Sequence, residues 1–279
     1  MANRFWVGGA GTWDGSSTTH WAATSGGAGG QSVPGSADLV TIDSNSGTGT
    51  IVVNTNFNVL AITFNTASNI TLDFSVNNNS VTIGSSFTIN GSSVRTLKLG
   101  SSVLTFTATA TTNCWNLAAA NTNLTFDAGT STIKYTGASA GTLTFTGGNQ
   151  SYWTFEIARG SGTGQITISN SNTFVNFIDN TSTAQHTIAF ASSTTTTVNN
   201  FFVKGSVSGR ILLLQVTSGA TLVKSPGGVI ACDWLSTIQL AATPSTLTWY
   251  KGSNSNGTTA TGWITSDPPS RKLSGAGVG

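Results

Sequence analysis

The chain has 279 residues, a formal net charge of +2 and only 7% charged residues, against about 25% in an average soluble domain. Its eleven Lys and Arg are scattered singly, which argues against a phosphate-tracking nucleic-acid surface, and its longest aliphatic run, Ile211 to Leu214, falls far short of the ~20 residues of a membrane span. Regularly spaced Val, Ile, Leu and Phe set it apart from a disordered polar chain, so an all-β protein with a hydroxyl- and amide-rich surface is expected.

Residues 1–38 crowd Phe5, Trp6, Trp13 and Trp21 among glycines and Pro34. Two readings stand here: a compact N-terminal cap over an open sheet end, or an aromatic platform that stacks on sugar rings. The opening MANRFWVGG lacks the apolar core of a signal peptide, so synthesis in the cytoplasm is expected. From Leu39 to about Leu117 short runs such as LVTID, VLAITF and ITLDF alternate apolar and polar residues, the period of strands with one buried face. Asn90-Gly91, Gly84 and Gly100 supply turns, being residues that tolerate positive φ or bring little side chain. The best helical window, CWNLAAA at Cys114 to Ala120, is too short to outrank a strand and turn.

The stretch from Leu143 to Val203 carries two ladders. Leu143, Ile166 and Ile188 recur at steps of 23 and 22, and Phe155, Phe177 and Phe201 at steps of 22 and 24. A period of this size marks a solenoid, whose turns bury their apolar faces only against their neighbours. These six residues are the expected core ladder. The LTF triplets at Leu104, Leu124 and Leu143 are read as one strand in successive coils. The fold expected is a single-stranded β-solenoid, a right-handed parallel β-helix, with roughly nine coils of about 22 residues between Leu39 and Ala242. Asn176 and Asn200, beside the Phe ladder, are expected to stack their amides structurally. The domain plan is an N-terminal cap over 1–38, a body over 39–228, a C-terminal cap over 229–264 gathering Trp234, Trp249, Tyr250 and Trp263, and a flexible tail over 265–279, which holds Pro268, Pro269, Arg271 and Lys272.

Chemistry is sparse. The single glutamate is Glu156, and Asp127 with Asp179 is the pair that coil spacing brings nearest to the geometry of a glycosidase. His20 and His186 lie in no nucleophile context, and no phosphate-loop, zinc or dinucleotide motif is present. Cys114 and Cys232 have no metal spacing and are read as buried free thiols rather than a disulfide. No catalytic residue, cofactor or metal ligand is therefore expected.

Three segments carry a resemblance: FWVGGAGTWD with HWAATSGGAGGQSVPGSADLV (Phe5 to Val40), HTIAFASSTTTTVNNFFVKGS (His186 to Ser206), and CDWLSTI with LTWYKGSNSNGTTATGWI (Cys232 to Ile264). In these the chain resembles β-helical virion structural proteins of tailed bacteriophages, of tail-fibre-like or capsid-surface type. The middle coils, about Gly49 to Ala140, match by style only, and AATPST stands where the group has a glycine-rich linker before the WY pair. The resemblance implies a non-enzymatic place on the virion surface, as capsid decoration or fibre-like element, with other virion proteins as partners and a homo-oligomer such as a trimer among the arrangements expected. The alternative is a receptor-binding module for host surface glycan, with Trp6, Trp13, Trp21, Tyr152, Trp249, Tyr250 and Trp263 as contacts and Trp153 beside them; a glycan-cleaving spike ranks after both. No nucleic-acid partner and no membrane insertion are expected.

Overall fold

The computed structural model describes residues 1–65, 69–117, 123–138, 140–181, 183–215, 218–258 and 260–269. Within them the chain is all β, a parallel β-solenoid, with no helix. Three sheets of twelve, nine and five strands wrap one core, and a fourth of three strands joins at the C-terminal end. In the early coils successive strands go to three different faces: Leu39–Ile42, Gly49–Val53 and Phe57–Val59, then Ala61–Asn65, Ile70–Asp73 and Val81–Ile83. Each stacks in parallel register on its predecessor, Val40 on Ile62, Ile51 on Leu72 and Phe57 on Val81. The nine-stranded sheet, from Phe57–Val59 to Ala241–Thr243, matches the nine coils expected.

Sequence dictates this arrangement through the alternation. A parallel sheet covered on both faces reads as a continuous apolar run. Here Val40 and Ile42 are buried while Thr41 between them is not, because a closed stack needs only one dry face per sheet. Both ladders meet in register: Leu143 pairs Ile166 and Ile166 pairs Ile188; Phe155 pairs Phe177 and Phe177 pairs Phe201. All six are at most 2% exposed. Phe177 lies within ring contact of Phe155, Phe174, Phe190 and Phe201, at centroid separations of 5.3, 5.5, 6.2 and 5.2 Å.

The LTF triplets are not one strand repeated. Leu104 sits in the nine-stranded sheet, Leu124 in the five-stranded and Leu143 in the twelve-stranded. Every face demands the same in–out–in pattern, so the triplet recurs once per face. Leu104 is in register with Ile133, not with Leu124.

After Leu124–Asp127 the five-stranded sheet ends and coils drop to two strands. The strands Ser151–Ile157 and Thr173–Asp179 lengthen to 7 residues each. Their pairing passes from Tyr152 with Phe174 to Thr154 with Asn176, stepping over Trp153 and Val175. The first half of Ser151–Ile157 lies along the flank the lost sheet vacates, with the Tyr152 ring 5.2 Å from Phe126. Corners are held by residues at positive φ, Asn149, Asn170 and Ser193 among them, where Asn carries little penalty. Asn149 Oδ1 accepts from the Ser171 N–H (2.9 Å) and Asn170 Oδ1 from the Gly148 N–H (3.0 Å). The amides of Asn176 and Asn200 do stack: Asn200 Nδ2 donates to Asn176 Oδ1 (2.9 Å) and Asn176 Nδ2 to Thr154 Oγ1 (3.2 Å).

At the N-terminal end Asn3–Trp6 and Gly11–Trp13 already stack in parallel on the next coil, and Trp21–Ala22 lies antiparallel across Asn3–Trp6 as the closing strand. At the other end residues 229–264 continue the stack rather than forming a separate unit. Leu235–Ile238 and Ala241–Thr243 add to two existing sheets, and Ile230–Ala231, Trp249–Tyr250 and Trp263–Ile264 reopen a third face. The far part of the tail, 270–279, and residues 118–120 of the helical window lie outside the described residues; Cys114 to Asn116 belong to the strand Thr112–Asn116.

Candidate functional site

The aromatic residues proposed as a sugar platform are mostly inside. Trp6, Trp13 and Trp21 are 0–1% exposed. Trp6 stacks on His20 at 4.6 Å and meets Trp21 edge-on at 5.2 Å, while Trp13 stacks on Phe57 at 4.1 Å. The Trp6 indole N–H donates to the Gly9 carbonyl (2.8 Å). These rings plug the open end of the core, so their faces are spent on each other. At the opposite end Trp249 and Tyr250 are also buried and Trp263 half-buried; the indoles of Trp249 and Trp263 donate to the Thr243 and Leu240 carbonyls at 2.9 Å each. Tyr152 lies inside too, its hydroxyl accepting from the Trp115 indole (2.9 Å) and donating to the Gly147 carbonyl (2.7 Å). Burial pushes its phenol well above the ordinary range. None of these six buried rings offers a face to ligand.

The carboxylates are likewise apart. Asp127 ends a strand of the five-stranded sheet and is exposed; Asp179 ends a strand of the nine-stranded sheet and is fully buried. A buried carboxylate on another face cannot share a substrate with Asp127, so the glycosidase pair is not assembled. Asp179 Oδ2 instead lies 2.6 Å from His186 Nε2, both side chains at zero exposure. Arg159 is buried beside them and donates to the Gly137 (2.7 Å) and Gly164 (2.6 Å) carbonyls. Its positive charge lies near enough to Asp179 to be stabilised by it, against a stronger downward pull on its pKa from burial. The trio replaces apolar core at a corner of the stack. Cys114 and Cys232 are buried free thiols, each pushed up by burial to about 12. No cluster of three or more His, Cys, Asp or Glu that could hold a metal occurs among the described residues.

What remains outside is a ledge where three faces become two. A recess of about 340 Å³ is lined by Phe126, Asp127, Gly129, Ser151, Trp153 and Val175. Trp153 is 40% exposed, and Asp127 Oδ1 is held by the Gly129 N–H at 3.0 Å. Trp153 points outward because it alternates with the inward Tyr152 and Thr154 along the strand. The chain finds no match among protein-family models, curated proteins or solved structures. The ledge therefore stands on its own geometry: one flat indole, one carboxylate and one hydroxyl around a shallow recess, a set that suits a polyhydroxylated ligand with an apolar C–H face. Sequence reading named Trp153 and Asp127 separately and missed that the end of a sheet joins them.

Proposed function

We propose that the chain is a non-enzymatic structural component of a bacteriophage particle surface, a capsid decoration protein or fibre-like element, working with other virion proteins. The observation that carries the reading is the pairing of a continuous dry core, sealed by Trp6, Trp13 and Trp21 at one end, with outer faces built from Thr, Ser and Asn and almost without charge. Such a stack is rigid along its axis and exposes few sites for proteolysis. Of the three segments that carry the resemblance to virion proteins, Phe5 to Val40 forms the closing strand and first coil, His186 to Ser206 a coil of the body, and Cys232 to Ile264 the last coils. The test is reconstitution: labelled protein mixed with particles that lack it should rebind to capsids, and recovery with tails alone would overturn the decoration form. The second reading, recognition of host surface glycan, is favoured by the Trp153 ledge, and loss of cell adsorption in a Trp153→Ala particle would support it.

A further inference from the structure

On a different flank, near the C-terminal end, a groove of about 320 Å³ is lined by Gln185, Ser208, Arg210, Trp234, Ser236 and Asn256. We propose that this groove binds an acidic saccharide, a sugar chain carrying a carboxylate. The proposal extends the saccharide reading to a second site and stands whether or not the Trp153 ledge binds anything.

Register creates the groove. The strands His186–Phe190, Ile211–Gln215 and Leu235–Ile238 stack with His186 on Ile211 and Ile211 on Leu235. Gln185, Arg210 and Trp234 each precede the first residue of one of these strands, so they form a column over three coils, about 10 Å long. Ser236 and Asn256 pair in the neighbouring column. The residues are 20 to 25 apart in sequence and meet only through the coil period.

Two features look built rather than incidental. Trp234 holds a φ of +57°, a conformation that is rare and strained for a bulky side chain and that concentrates at ligand sites. Its N–H donates to Asp233 Oδ1 (2.9 Å), and its carbonyl oxygen packs where a Cβ on Gly205 would collide, so the neighbourhood enforces the strain. Arg210 lies with Cζ 5.5 Å from the Trp234 ring centroid and donates through Nη2 to the Asn254 carbonyl (2.9 Å). Its Nε, shielded from solvent, has no acceptor among the described residues. The guanidinium is thus fixed in place and under-used.

The lining names the ligand class. An indole face takes the C–H side of a pyranose, and the amides and hydroxyls of Gln185, Asn256, Ser208 and Ser236 match ring hydroxyls. The one charge in the lining is Arg210, whose fork suits a carboxylate. Asp233, which precedes Trp234 in the chain, is engaged by the Trp234 and Asn254 N–H groups and by Asn254 Nδ2. A single arginine without a lysine cluster does not suit a phosphate backbone.

The test is titration of the intact protein with trigalacturonate, with maltotriose as the neutral probe of equal length, followed by calorimetry and by tryptophan fluorescence. Trigalacturonate should bind, and more weakly as ionic strength rises. Arg210→Gln and Trp234→Gly should each weaken it about tenfold or more, while Val76→Ser, at an exposed residue of the early coils, leaves it unchanged. Trp234→Gly removes the ring and relieves the left-handed backbone together, so its thermal midpoint should not fall; if it does, Arg210→Gln alone decides. No binding at millimolar trigalacturonate, equal affinity for maltotriose, or unchanged affinity in Arg210→Gln would each overturn the proposal.

Discussion

Asp179→Ala should be among the most damaging single substitutions in the chain. Asp179 and His186 face each other across the inside of one coil at 2.6 Å with no solvent access. His186 Nδ1 also lies 3.3 Å from the Ala184 carbonyl oxygen, so both ring nitrogens are engaged inside the fold. Deleting the carboxylate strands the imidazole and removes the negative partner of buried Arg159. Leaving a buried charge uncompensated costs about 3–5 kcal/mol. The same argument predicts that replacing both partners is milder than removing one. Asp179 stacks on Val203 and His186 on Ile211, so Asp179→Val with His186→Leu continues apolar columns. Chemical denaturation of the wild type, both singles and the double gives the coupling energy. A loss below about 1 kcal/mol in Asp179→Ala, or a double variant as costly as the sum of the singles, would refute the buried-pair account.

Phe177→Ala should cost about 3–5 kcal/mol in the same assay, the range for a large core aromatic; a loss under about 1 would put the ring outside the stack. Gly129→Ala should destabilise, because Gly129 has φ +53° and an added Cβ would collide with the Gly100 carbonyl oxygen; a thermal midpoint at or above wild type would contradict that. Burial holds both thiols at about 12 in the fold against 9.0 ordinarily. Their folded values are raised, so their contribution is intact below about pH 9 and lost as pH climbs toward 12. Iodoacetamide at ~pH 8 should accordingly label neither cysteine until denaturant is added, since the thiolate is the reactive form, and rapid native labelling would refute their burial.

The regular half of the fold was legible because Phe155, Phe177 and Phe201 fall on one face at almost constant steps. The early coils were not, since a three-faced turn repeats its in–out–in pattern within the turn and so disguises three faces as one strand. Inward polar residues such as Asp179 and His186 carry no pattern of their own; alternation predicts apolar residues there, and only the fold reveals the substitution. The candidate contacts failed for a related reason: an aromatic ring that plugs a core and one that meets a ligand look alike in composition, and burial alone separates them. Arg210 and Trp234 escaped notice because their meeting depends on a one-coil register.

The strand Trp21–Ala22 runs against the grain of every other strand pairing described. An isolated parallel stack is a template at both ends, able to take on the terminal coil of another copy and grow head to tail into a fibre. A reversed strand on the Asn3–Trp6 edge presents the wrong hydrogen-bonding direction for that growth. The twelve-stranded sheet therefore has unequal ends, a reversed strand at Trp21–Ala22 and a parallel edge at Asn256–Thr258, so a second copy could extend it in the stack's own direction only from the latter.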